Sequence, residues 1–207
     1  MGEHTTARRG VLGRASSFVR GRPTTQKVGG GVAAALLASA PFGGLAAVAE
    51  PAPEPLALDQ PIMVGPYKVV IDKIVEIPDL APAIKPAAPQ RLLVLDAEVT
   101  LTGDRPEYAG ALTSHIRVRG GGDVKTTGRA DLYSIDDATK LTAFNPGITY
   151  QVAITFTTTG RWENETAVVA TERTEFRVED KQTLDPNAWV GLGEVEREST
   201  LPVVRRS

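Results

Sequence analysis

Between Arg91 and Leu101 the chain alternates with a period of two: Leu93, Leu95, Ala97, Val99 and Leu101 fall on one side, Asp96, Glu98 and Thr100 on the other. A helix would bring apolar residues round every three or four positions, so this spacing predicts a half-buried β-strand. Leu92 and Val94 make its first half apolar on both faces. A strand covered on both faces belongs in the middle of a sheet.

The same period recurs elsewhere. Tyr67, Val69, Ile71, Val75 and Ile77 oppose Lys68, Asp72 and Glu76, with Lys73 and Ile74 out of phase. A β-bulge or an edge position near them is expected. Tyr150, Val152, Ile154 and Phe156 oppose Gln151, Thr155 and Thr157 in a strand from Ile148 to Thr158. Shorter strands are expected at Ile116–Val118, Val124–Thr127, Leu132–Ile135, Val168–Ala170, Thr174–Val178 and Val195–Val204.

Breakers separate these strands. Pro78, Pro82, Pro86 and Pro89 exclude continuous ladder bonding, so they predict a loop, and its Leu80 and Ile84 are placed to lie across a sheet. Gly103-Asp104-Arg105-Pro106 and Asn145-Pro146-Gly147 are turns, and Gly120 to Asp123 reads as a hairpin connection. Asp185-Pro186-Asn187 places Trp189 in a loop. No stretch after residue 50 has sustained helical periodicity. Seven to nine antiparallel strands without alternating helices predict an all-β fold, an immunoglobulin-like antiparallel β-sandwich over residues 62–204, with a small barrel as the alternative.

The compartment is argued from residues 28–49, which hold no charge. Their length suffices for one apolar membrane helix, although eight Ala, five Gly and Pro41 dilute it. Six cations against Glu3 give residues 1–27 a charge of +5. With the whole chain at −2, residues 50–207 carry −7. The basic leader is therefore expected on the cytoplasmic side and the domain outside. Residues 28–49 act either as a signal anchor, leaving a single-pass membrane protein, or as a signal peptide cleaved after Ala47-Val48-Ala49 to give a secreted form. Arg8-Arg9 resembles a twin-arginine signal, but fifteen residues separate Arg9's Gly10-Val11-Leu12 from the apolar run. Residues 50–61 are expected to be an extended Pro-rich spacer.

The pattern resembles a family. Gly65-Pro66-Tyr67-Lys68-Val69, the strand from Leu92 to Leu101, Asn145-Pro146-Gly147-Ile148-Thr149-Tyr150, and Trp189 followed by Leu201-Pro202-Val203 resemble uncharacterised bacterial envelope proteins with a telokin-like, immunoglobulin-like extracytoplasmic domain. The likeness spans about residues 60–204 together with the basic leader and apolar segment. It implies an extracytoplasmic sandwich and no catalytic residues.

Chemistry is narrowed by what is scarce. The chain has no Cys and two His, His4 and His115, which removes disulfides, thiol nucleophiles and most imidazole-based metal or base schemes. Ser114 and His115 are adjacent, and neighbours on a strand point to opposite faces. No catalytic motif is present, so no enzyme activity and no cofactor are expected. The acidic external part argues against nucleic acid. His115, Arg117 and Arg119 are a possible anion or partner surface, with a solvated sheet face as the plain alternative. Asp131, Asp136 and Asp137 match no calcium-loop signature. Trp162, in the polar segment Gly160 to Asn164, is a possible exposed aromatic, whereas a loop anchor is the plain reading of both Trp162 and Trp189. These residues predict a non-catalytic interaction module of the envelope, reaching another envelope protein or a cell-wall polymer; the alternative is a secreted enzyme accessory or hydrolase-like domain.

Overall fold

The computed structural model describes residues 52–179 and 186–206. Residues 28–49, and with them the anchor and its cleavage site, lie outside the described residues. Among the described residues no helix is long and apolar enough to cross a membrane.

In chain order the elements are β1 (Pro61–Val64), β2 (Tyr67–Ile77), β3 (Arg91–Leu101), β4 (Glu107–Tyr108), α1 (Ala109–Ser114), β5 (Ile116–Arg119), β6 (Thr126–Ser134), β7 (Ala143–Phe144), β8 (Thr149–Thr158), β9 (Thr166–Glu179) and β10 (Pro186–Arg205). Hydrogen bonding runs β5-β9-β10-β2-β3-β8-β6, with β1 added to β2 and a separate β4-β7 ribbon. The path folds over at β10. That strand is antiparallel to β9 as far as Pro202, then parallel to β2 from Val203 to Arg205. Two layers result, β5-β9-β10 and β2-β3-β8-β6, and one apolar cluster joins Ile116, Val118, Val169 and Leu201 of the first to Val69, Leu95, Val99 and Ile154 of the second. The fold is an all-β sandwich.

The two-sided strand sits where its pattern places it. β3 lies between β2 and β8; Leu93, Leu95 and Val99 enter the main core, while Leu92 and Val94 face outward with Tyr133 and Ala153. Leu80, Ala83 and Ile84 of the proline-rich loop pack onto this outer cluster. Covering side chains of this size is worth about 1.5–3 kcal/mol each, so the loop removes the cost of an apolar outer face. Thr155, which alternation alone puts in solvent, is buried too, its hydroxyl donating to Asp131 O at 3.1 Å.

The predicted bulge is present: the β2–β3 register shifts between Ile71 and Lys73. Its consequence is larger than the sequence suggests. Ile74 takes over the core face, and Glu76, expected on the solvent side, is 0 % exposed.

Other expectations are corrected. Gly120 to Asp123 is not a hairpin connection, because β5 pairs with β9 and β6 with β8, so the segment crosses between layers. The expected strands at 168–170 and 174–178 are one strand, β9, and β10 begins at Pro186, which puts Trp189 on a strand rather than in a loop. Residues 124–127 and 132–135 likewise fall on or beside one bulged strand, β6. The helix α1 was not expected. Six residues are too few to display a helical period, and its Leu112 is held by burial rather than by a side-chain cap. Part of the expected spacer packs on the domain: the Glu54 N–H bonds to Glu196 O, the Glu198 N–H to Glu54 O, and Leu56 is buried.

Candidate functional site

At one pole the turn Gly65–Pro66, the segment 102–108 and the β9–β10 hairpin meet. Cross-strand neighbours on an antiparallel pair share a face, and Trp189 pairs with Phe176. Their ring centroids lie 5.5 Å apart at a tilt of 56°. Trp189 is 37 % and Phe176 46 % exposed, and Val178, on Phe176's side of the strand, is more exposed still. Gly65, with φ +58°, brings the β1–β2 turn so close that a Cβ there would meet Trp189 Cδ2 at 3.6 Å.

Two clefts of about 350 Å³ each share Pro66, Arg105, Glu107, Asn187 and Trp189. Arg105 bonds to the Asn187 carbonyl and pairs with Glu107 at 3.4 Å, tying the 102–108 segment to the hairpin. Below them, burial and then the charge of Glu107 push the Tyr67 hydroxyl well above its ordinary value. It stays protonated and donates to Tyr108 O at 3.0 Å. The Tyr108 ring is itself 78 % exposed. Phe144 of the β4–β7 ribbon packs edge-on against Tyr67 and Tyr150, at 5.4 and 5.2 Å, and so braces the pole from inside. The pole thus presents an aromatic surface with Arg105 at its edge, and the clefts beside it are also lined by Asp104, Glu107 and His115; aromatic residues with Arg are the types enriched at contact sites.

The sequence-selected residues are placed differently from one another. Arg117 and Arg119 share a face of β5, but His115 precedes the strand, capping α1. All three meet carboxylates: His115 Nδ1 is 3.5 Å and Arg117 3.4 Å from Glu172 Oε2, and Arg119 is 2.5 Å from Glu198. The face is a mixed-charge lattice rather than a cationic strip. Burial alone would raise the Glu172 carboxyl, but the Gly193 N–H, the His115 ring and Arg117 together hold it below its ordinary value. The Ser114 hydroxyl donates to Ala111 O at 2.8 Å, away from His115.

For Trp162 the exposed-aromatic reading is corrected, and burial as an anchor is what is found. At 1 % exposure it is a core residue, its Nε1 donating to Thr166 O and its backbone N–H to Glu76. The polar residues round it made the segment look like an open loop; a buried carboxylate that accepts its backbone is a feature only the fold supplies. Asp131 pairs with Lys140, and Asp137 accepts from Thr139, whose hydroxyl and N–H hold its carboxyl below the ordinary value. Among the described residues no group of three or more acidic or His side chains converges on a metal position. Trp189 is the exposed tryptophan, and Phe176, Tyr108 and Arg105, which the sequence does not single out, surround it. The alternation Phe176-Arg177-Val178 was the available signal: it puts an aromatic and an aliphatic side chain on one face of a strand.

The fold defines a β-sandwich domain. No family model matches the chain, and no curated protein matches it. Two solved structures are similar to it. One is an uncharacterised β-sandwich protein from Clostridium difficile 630, at 13 % identity over 61 % of this chain and 92 % of that chain, with a TM-score of 0.46. The other is a candidate lipoprotein from Bacillus subtilis, at 10 % identity over 67 % of this chain and 40 % of that chain, with a TM-score of 0.36.

Proposed function

We propose that this protein is a non-catalytic interaction module of the bacterial cell envelope, an immunoglobulin-like domain of telokin-like type that contacts another envelope protein through its β9–β10 pole. The immunoglobulin assignment is supported by connectivity. Numbered A to G along the chain, β2, β3, β5, β6, β8, β9 and β10 give the layers A-B-E-D and C-F-G, the constant-type arrangement. In that frame the pole carries the B–C and F–G connections, the end at which immunoglobulin variable domains recognise antigen.

The observation that carries the reading is the exposed Phe176–Trp189 pair with Val178 beside it. Contiguous apolar surface costs solubility and on soluble domains marks a contact site, and Trp and Tyr with Arg are the residue types that dominate such contacts. The basic leader, the apolar segment 28–49 and the acidic remainder support display outside the membrane.

Photo-crosslinking in cells tests it, with the full chain carrying a photoreactive residue at position 178. A discrete protein adduct is expected, falling about tenfold when Trp189 and Phe176 are both changed to Ala, as for a central contact pair. A polysaccharide adduct would assign the pole to a cell-wall polymer. No adduct, or one indifferent to the two substitutions, would overturn the reading.

A further inference from the structure

Another cleft lies on the open side of the sandwich among the described residues. There β5, an edge strand among the described residues, faces the bulged strand β6 of the other layer. The opening has a volume of about 480 Å³, inside the range of roughly 300–1,000 Å³ that small-molecule sites occupy. Ile116, Val118, Ala130 and Phe156 line it and belong to the main core. They form its floor, each between 3 and 7 % exposed.

The cleft stays open because of β6. Its register shifts between Thr127 and Asp131, and Gly128 within the shift has φ +70° with nothing near the position of a Cβ. A regular ladder would carry side chains across the gap at that point. Hence the sequence Thr127-Gly128-Arg129 both bends the strand and leaves space.

Charge at the rim selects the ligand. Arg117, Arg119 and Arg129 line the opening, and so do Glu172 and Glu194. Glu172 is taken by Arg117 and His115, Glu194 by Arg173, and Arg119 by Glu198. Among the described residues Arg129 has no carboxylate partner. One unpaired guanidinium at the edge of an apolar cleft suits a ligand with an apolar body and a single acidic group, since the head meets a charge-assisted donor while the body is desolvated. We propose that the cleft between β5 and β6 binds an amphiphilic carboxylate, such as a fatty acid. The site is separate from the protein-binding pole.

Displacement of a dansyl-labelled undecanoic acid from the full chain, with dodecanoate as competitor below its micellar concentration, tests the assignment. Saturable binding and competition by dodecanoate are expected, with dodecanol at least about tenfold weaker for want of the charged contact. Arg129→Glu should weaken dodecanoate about tenfold or more. Lys85→Glu, the same charge change on the proline-rich loop, should leave it unaltered. Ala130→Leu, which fills the floor, should weaken both ligands, and thermal melts of each variant separate lost binding from lost folding. Absence of saturable binding, equal affinity for dodecanol, or an unchanged affinity in folded Arg129→Glu would each overturn the proposal.

Discussion

Thr171 lies on β9 opposite Ile116, and its Oγ1 is buried with no hydrogen-bond partner among the described residues. Leaving a buried hydroxyl unmet costs about 1–3 kcal/mol. Thr171→Val keeps the shape and removes the polar atom, so it should stabilise the domain by about 1 kcal/mol in urea unfolding; a loss of stability would mean that the hydroxyl has a partner in solution. Glu172, next along the strand, has the opposite standing. Its folded-state carboxyl is held below the ordinary 4.5, so the unfolded chain binds the proton more readily and stability rises with pH across that interval. The contribution is complete above the ordinary value and lost as pH falls through the lowered one. Unfolding measured from pH 7 to pH 3 should show the advantage of wild type over Glu172→Gln shrinking on the acid side, and a constant difference would contradict this linkage.

Elements show where pattern suffices and where it does not. β3 was legible in full, because alternation gives its inner face, and the doubled apolar half announces a second cover. β2 was legible up to its bulge. Beyond it the face of every residue depends on which position is extra, and the ladder with β3 places the shift between Ile71 and Lys73, which turns Glu76 inward. The crossover from β5 to β6 was misread since a run of Gly suits a hairpin and a crossover equally. There Gly121 is required by contact: a Cβ would sit 2.7 Å from the Trp162 ring and 2.8 Å from Val124 O. The ring is buried and the oxygen is backbone, so neither moves cheaply. Gly121→Ala should cost about 2 kcal/mol, in the range of overpacked cores, as read by chemical denaturation; a change within about 0.5 kcal/mol, the size of an ordinary surface substitution, would show that the crossover yields.

At the scale of the molecule, one buried carboxylate joins the parts. Glu76 of β2 accepts Arg91 Nε of β3 at 2.8 Å and the Trp162 N–H of the β8–β9 crossover at 2.9 Å. Arg91 also donates to Arg206 O, and the Arg206 N–H to Glu76 O, just past the parallel pairing of β10 with β2. The knot therefore fastens the place where the sheet folds into two layers. A buried charge stripped of its partner costs about 3–5 kcal/mol, so Arg91→Ala should lower stability by about 3 kcal/mol or more, visible as a marked fall in the urea midpoint. A loss under about 1 kcal/mol would mean that water replaces the guanidinium. The knot and the aromatic pole occupy opposite ends of β2, at Glu76 and Tyr67.

By itself the sequence determined the all-β class, the central strand, the break in the alternation of β2, the proline-rich cover and the lack of catalytic motifs, because each follows from the period of apolar residues or from an excluded backbone geometry over a few neighbouring positions. Tertiary structure alone decided the rest. It paired Arg117 with Glu172 and Arg119 with Glu198, set His115 beside Glu172, buried Trp162 and Glu76, and left Trp189 and Phe176 in the open. The partners of His115, Arg117, Arg119 and Trp162 lie between 55 and 86 positions away in the chain, and no local pattern specifies which distant strand arrives alongside.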